Sequence, residues 1–234
     1  MPNKKVAIIT AASRGVGAEV ANELHTKGYY LALMSTSGES PLKNADRVIS
    51  IAGSVTQPHD LQHLLDVTLK KFGHLDAVVN STGHAEQGEL MSLTDECWYN
   101  GLDLLLLNVI RMAKLVTPHF LEKQIPGVIV NISAYGALEP TLEFPVSSVM
   151  RAGLAAYTKL YAEHYAIQHI RMNSILMGYI DNYAVPETEL KLIPMGRPAK
   201  ITEIAKTVAF LLSEDAGYIT GENLRVDGGM SRGL

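Results

Sequence analysis

The chain has one cysteine, Cys97, among 234 residues. It can close no disulfide of its own and offers no thiolate cluster for zinc. It has no surplus of positive charge: Lys and Arg number 20 against 24 Asp and Glu, a formal net charge of −4. A protein that grips nucleic acid through its phosphates carries the opposite balance, so that class is set aside. Aromatics are scarce at 6%, with one tryptophan, Trp98. Long hydrophobic runs are also missing. The greasiest stretch, 102–110, is interrupted by Asp103 and Asn108, whereas a membrane span needs about 20 apolar residues. Val6–Ile9 is too short for the apolar core of a signal peptide. A soluble, cytoplasmic protein is expected, with neither a nucleic-acid nor a membrane partner. Among the 8 histidines, only His59 and His63 share a helix face, and no third ligand accompanies them, so no metal site is expected.

Apolar residues make up 47% of the chain and charged ones 19%, enough to build a core. Seven short runs are apolar on both faces: Val6–Ile9, Tyr30–Met34, Val48–Ile51, Ala77–Val79, Val128–Ile132, Met172–Leu176 and Leu224–Val226. Such runs suit a parallel sheet covered by helices on both sides. Helical periodicity fills the gaps, over Gly15–Lys27, Pro58–Phe72, Thr94–Lys123, Ser148–Gln168 and Thr202–Ser213. Pro58 suits a first helical turn, where a missing N–H costs nothing, and Gly28 and Gly73 sit where helices should stop. Regular strand–helix alternation predicts an α/β fold, a single-domain, Rossmann-like, doubly wound parallel sheet over residues 1–234.

The turn after the first strand reads Thr10-Ala11-Ala12-Ser13-Arg14-Gly15-Val16-Gly17. Small residues there let backbone approach a pyrophosphate, and the helix that follows supplies N–H groups and a positive dipole end.

This turn resembles the Thr-Gly-x-x-x-Gly-x-Gly fingerprint of the short-chain dehydrogenase/reductase family, with Ala11 in place of the first glycine. Because alanine tolerates positive φ poorly, the turn at Ala11 is expected to differ. Further family-like elements follow in order: Ser54-Val55-Thr56 in an adenine-binding position, Asn80-Ser81-Thr82-Gly83 after the fourth strand, Trp98 at the long helix, Met177-Gly178 after the sixth strand, and Ile219–Glu222 with Val226–Gly229 near the end. The resemblance covers essentially the whole chain. It implies a nicotinamide cofactor held by Thr10, Ala12–Gly17, Ser35–Ser37, Ser54, Val55, Asn80–Gly83, Arg151, Gly178 and Ile180. It also implies a small-molecule substrate, a homodimer or homotetramer formed through the 94–123 and 148–168 helices, only a stub of helix between the second and third strands, and a shortened lid over Tyr183–Pro198. Relatives that prefer NAD carry an acid at the end of the second strand; here Ser35-Thr36-Ser37 stands there, with Arg14 in the phosphate loop. A hydroxyl trio plus an arginine favours NADP(H) over NAD(H). The plainer alternative is that Arg14 is a solvated loop residue and the hydroxyls cap a turn.

The catalytic positions depart from the family. Aligning on Ala152-Gly153 puts Ser147 at the proton-donating tyrosine and Arg151 at the lysine four residues on. The usual serine falls on Ala134, and the helix asparagine falls on Leu105. A serine hydroxyl is a far weaker acid than a phenol, and arginine does not pass protons near neutrality. Substitutes are sought nearby: His84, a residue type that titrates near neutral pH, and Tyr135 and Tyr179. For each, a pocket-lining or solvated role is the simpler alternative. Three functions follow. The chain is an oxidoreductase with non-standard catalytic residues acting on a small carbonyl, hydroxy or enone compound. Alternatively it is a catalytically inactive NADP(H)-binding sensor or hetero-oligomer partner, or a redox-neutral dehydratase or isomerase.

Overall fold

All seven expected strands pair in one parallel sheet in the computed structural model, which describes residues 4–233. They are β1 (Val6–Thr10), β2 (Tyr30–Ser35), β3 (Val48–Ala52), β4 (Ala77–Asn80), β5 (Val128–Ala134), β6 (Arg171–Met177) and β7 (Asn223–Val226), in the order β3-β2-β1-β4-β5-β6-β7. Most outrun the apolar segments because their polar C-terminal residues still pair: Thr10 with Met34, Ser35 with Ala52, Asn80 with Asn131. Hydroxyls and amides thus crown the carboxyl ends. The strand order reverses between β1 and β4, and ligands of open parallel sheets bind in the crevice outside such a point.

Helices cover both faces. One core joins Ile9, Leu31, Leu33, Val79 and Val130 of the sheet to Val20 and Leu24 of α1 (Gly15–Thr26) and Val208 and Leu211 of α7 (Ile201–Leu212). The other joins Ile8, Val78 and Ile129 to Leu61 and Leu64 of α2 (Pro58–Phe72) and Met112, Val116 and Phe120 of α4 (Asn108–Lys123). Pro58 opens α2 and Gly73 closes it at φ 85°, as the end signals required.

Three expectations need correction. The 94–123 helix is not continuous: α3 (Asp95–Leu102) passes through a π-helical turn at Asp103–Leu107 before α4. By length and composition alone the 29-residue run Asp95–Lys123 would suffice to cross a membrane, but α4 carries a core stripe with Met112, Val116 and Phe120 fully buried. The helix expected from Ser148 begins at Pro145, giving α5 (Pro145–Tyr165), so Ser147 lies in its first turn. Between β2 and β3 only turns occur, not a stub of helix. The lid holds a four-residue helix, α6 (Glu187–Leu190), too short to show in a periodicity.

Candidate active site

The β1–α1 turn is shaped to receive an anion. Ala11 adopts φ 49°, left-handed despite its side chain, so the expected departure at this position does not occur. The turn is held from outside, because Ala12 N–H donates to the Met34 carbonyl at 3.0 Å. Gly15 follows at φ 61°. Gly17 has no room for a side chain, since a Cβ there would lie 2.4 Å from the Ala11 carbonyl oxygen. Helix α1 therefore starts in direct contact with the turn. No side chain caps its first N–H groups, which leaves them and the dipole's positive end for a ligand. Arg14 is the extended residue at this helix start. It is exposed, and no hydrogen bond or ion pair engages its side chain among the described residues. The pyrophosphate of a dinucleotide fits this cradle by shape and charge. Val16 is buried and can contribute only backbone.

Several expected contacts are committed to the fold. Thr10 Oγ1 donates to the Ser81 carbonyl at 2.7 Å and accepts the Ser81 N–H at 2.9 Å, which fastens β1 to the segment after β4. Asn80 Nδ2 donates to Asn131 Oδ1 at 2.9 Å. Thr82 Oγ1 bonds the Gly83 carbonyl. Ser35 is buried and its hydroxyl donates to the Glu39 carbonyl at 2.9 Å, while Ser37 Oγ accepts the Glu39 N–H at 3.2 Å. Two of the three hydroxyls thus cap a turn, the plainer of the two alternatives; Thr36 is exposed. Ser54 Oγ bonds Thr56 Oγ1 at 2.8 Å, and Asp60 accepts the Ser54 N–H at 2.8 Å, so a carboxylate from α2 orders the segment with Val55.

Beyond β5, Ala134 ends the strand and Tyr135 begins a single 3-10 turn. Arg151 on α5 is buried behind Ser147. Its Nε–H donates to Ser147 Oγ at 3.1 Å and its Nη1–H to the Ile132 carbonyl at 2.9 Å. Burial pulls the Arg151 pKa down to about 10, so the guanidinium stays cationic at neutral pH. Ser133 Oγ and Asn108 Oδ1 are buried without a hydrogen-bond partner among the described residues. Asn131, two residues before Ser133, bonds Thr158 of α5, so strand alternation turns Ser133 to that same face.

The phenols of Tyr135 and Tyr179 draw together beyond β5, where the Tyr135 turn packs against α5. The Tyr135 and Tyr179 rings lie 6.2 Å apart at 43°. Burial raises the Tyr135 pKa. Tyr179 O–H donates to Glu189 Oε2 at 2.6 Å, and burial and that carboxylate raise its pKa strongly. Gly178 must be glycine, because a Cβ would meet Asp227 Cα at 2.9 Å. Ile180 faces the core. His84 is exposed and no hydrogen bond ties it to the Tyr135, Ser147 and Arg151 group. Among the described residues no cluster of three or more His, Cys, Asp or Glu could hold a metal ion. One residue was not foreseen: Asn182 Nδ2 lies 3.6 Å from where a Cβ on Gly15 would stand. The residue just before the lid therefore reaches the phosphate turn, and nothing in the local sequence signals it.

Residues 10–231 match the family model described as enoyl-(acyl carrier protein) reductase. The chain is 31% identical to the 3-oxoacyl-(acyl-carrier-protein) reductase FabG of Haemophilus influenzae, over 97% of this chain and 98% of that protein. It is 30% identical to 3beta-hydroxysteroid dehydrogenase 1 of Eggerthella lenta, over 97% and 94%. It is also 30% identical to glucose 1-dehydrogenase 2 of Bacillus subtilis, over 97% and 95%. A crystal structure from Bacillus anthracis, described as a short chain dehydrogenase, superposes with a TM-score of 0.89 at 24% identity, covering 98% of each chain; that likeness speaks for the fold.

Proposed function

The chain belongs to the short-chain dehydrogenase/reductase family, and from that premise we propose that it is an NADP(H)-dependent oxidoreductase acting on a small carbonyl, hydroxy or enone compound without the family's tyrosine–lysine pair. The observation that carries the cofactor assignment is Arg14, an exposed guanidinium with no partner among the described residues, beside the start of α1, which no side chain caps. A ribose 2′-phosphate offers it a charge-assisted bond that NAD(H) lacks. Thr36 lies in the same neighbourhood and supplies a free hydroxyl. The backbone of Ala12–Gly17 takes the pyrophosphate, Ser54 and Val55 flank the adenine, and Asn182 closes over the turn.

When bound, the nicotinamide supplies or accepts a hydride. The chain's own task is to bind and orient the substrate against it, which accounts for much of the rate in such a reaction. Arg151 holds charge and orders Ser147. Tyr135 and Tyr179 pack against one another, and His84 is the remaining candidate acid. Titration of the purified protein with NADPH and NADH, read by cofactor fluorescence, tests the assignment. NADPH-selective binding supports it, and failure to bind either nucleotide refutes it.

A second reading is a non-catalytic NADP(H) sensor. It is favoured by one observation: the Tyr179 O–H donates to the Glu189 carboxylate, which holds the proton on the phenol and makes it a poor acid. Turnover by the purified chain with any carbonyl or enone would exclude it. In either case we assign the protein to the cytoplasm and to a homodimer or homotetramer. Leu160 and Val149 of α5 are 64% and 55% exposed, as suits a face that meets a second subunit.

A further inference from the structure

The π-helical turn between α3 and α4 has a local cause and a distant consequence. Asn108 N–H reaches back five residues to the Asp103 carbonyl, and the Asn108 side-chain amide takes the Leu104 carbonyl. One residue thus serves two carbonyls of the wide turn. Such a turn holds one residue more than a regular α-turn. In an unbroken α-helix, residues eight apart stand about 80° apart around the axis. Taking up the extra residue brings Asp103 and Arg111 back toward one face, two turns apart. Helical side chains lean toward the N-terminus, so the Arg111 side chain runs back along the helix. Its Nη2 meets Asp103 Oδ1 at 2.7 Å.

The other prong leaves the helix. Arg111 Nη1–H donates to the Thr56 carbonyl at 3.3 Å. Thr56 belongs to the turn after β3 whose Ser54 and Val55 flank the adenine in the proposed nucleotide site. Two other elements hold that turn: Gly53 N–H donates to the Ser35 carbonyl of β2 at 2.9 Å, and Ser54 N–H to Asp60 of α2 at 2.8 Å. Arg111 supplies its only hydrogen bond from α4 among the described residues. The arginine and aspartate side chains are 28% and 40% exposed, and an ion pair so open to water adds little to stability. Its consequence is direction. A guanidinium presents its N–H groups in a rigid fork, so fixing Nη2 on Asp103 aims Nη1 at one carbonyl.

We propose that Arg111 is a positioning residue for the adenine end of the nucleotide site, held in its working orientation by Asp103 across the π-helical turn. The proposal rests on the nucleotide reading above and on the adenine lying at Ser54 and Val55. Arg111 acts through the Thr56 carbonyl, so any adenine nucleotide should feel it, with or without a 2′-phosphate. In this it differs from Arg14, whose effect is tied to that phosphate.

The probes are NADPH and NADH, read by cofactor fluorescence, and adenosine 2′,5′-bisphosphate, read by calorimetry. Arg111→Met should weaken all three by the same factor, about threefold to tenfold, the range for one lost hydrogen bond. Melting temperature should stay near that of the wild type. Asp103→Asn should act in the same direction, and the double variant should be no weaker than Arg111→Met alone, because both act through one bond. Arg111→Lys can pair with Asp103 but has no fork, so it should recover little. If Arg111→Met unfolds, the half-exposed Asp103 variant carries the test. Unchanged affinities in a folded Arg111→Met protein would overturn the proposal and leave the NADP(H) reading intact. So would a loss that spares NADH, a loss that spares the bisphosphate, or full rescue by lysine. A wild type that binds NADPH but not the bisphosphate would leave no separate adenine site to position, and would overturn it too. A wild type that binds no nucleotide would refute the nucleotide reading and the proposal with it.

Discussion

Tyr179 and Glu189 meet through a 2.6 Å hydrogen bond from phenol to carboxylate. The bond ties the residue after Gly178 to the short helix α6, and Met195 N–H donates to the Gly228 carbonyl at 3.2 Å, so the lid is anchored at both places. It also decides the acid–base character of Tyr179. Ionising the phenol would set two negative charges side by side in a partly buried place, so burial first and then Glu189 raise its pKa.

Replacing Glu189 by Gln keeps an acceptor and removes the charge. The Tyr179 phenol should then titrate closer to the ordinary tyrosine value of about 10. Ultraviolet titration of tyrosinate, with Tyr179→Phe to assign the signal, measures this. An unchanged curve in Glu189→Gln would mean that burial alone holds the proton.

Alkaline stability should follow the same logic on a larger scale. The pKa values of Tyr29, Tyr157, Tyr161 and Tyr183 are also raised, in each case first by burial. A phenol whose folded pKa exceeds its unfolded one keeps its proton longer in the folded state. Above the unfolded value the folded protein binds more protons, so stability falls as pH rises. Melting temperature should be flat below about pH 9 and drop steadily beyond about pH 10. A curve that stays flat to higher pH would show that these phenols ionise without unfolding.

A buried polar chain crosses the sheet beneath the cleft. Asn80 donates to Asn131, Asn131 reaches Thr158 and Ser174 at 3.3 and 3.4 Å, and Thr158 bonds Ser174 at 2.8 Å. Asn131 is fully buried and satisfies Asn80, the residue that turns the chain into Ser81. Asn131→Ala leaves the Asn80 amide without its acceptor. The expected cost is about 2–3 kcal/mol, a fall in melting temperature of roughly 4–12 °C for a chain of this size. Nucleotide binding should weaken with it, because Ser81 is fixed through the same strand end. A loss under about 0.5 kcal/mol would mean that water replaces the side chain.

The sheet was legible because a strand buried on both faces must be apolar throughout, and few other short segments are. The phosphate turn was legible because only small residues allow the approach seen at Gly17. What failed to show was conformation imposed from a distance. Ala11 is left-handed because Ala12 is tied to Met34, a residue of another strand. Leu102–Leu107 reads as ordinary helix, and no residue there announces the π-helical turn. The start of α5 was readable in principle, since Pro145 is a first-turn signal, but apolar periodicity alone placed it at Ser148. At the site, residue identity located Ser35 and Ser37 at the right strand end, but not the direction of their hydroxyls. Those turn toward Glu39, and this shifts the weight of phosphate recognition onto Arg14.

On the proposed NADP(H) reading, that shift rests the cofactor choice on Arg14. If the guanidinium grips the 2′-phosphate, Arg14→Ala should weaken NADPH binding by about tenfold to a hundredfold, the range for a charge-assisted bond. NADH, which lacks the phosphate, should bind nearly as before. The wild-type preference should also shrink with added salt, because Arg14 is exposed and screening acts on exposed charges. Parallel fluorescence titrations of both nucleotides at low and high ionic strength separate the possibilities. Equal losses for NADPH and NADH would place Arg14 on the pyrophosphate instead. No loss for either would make it a solvated loop residue, leaving Thr36 and the backbone of the 36–38 turn as the features that choose the cofactor.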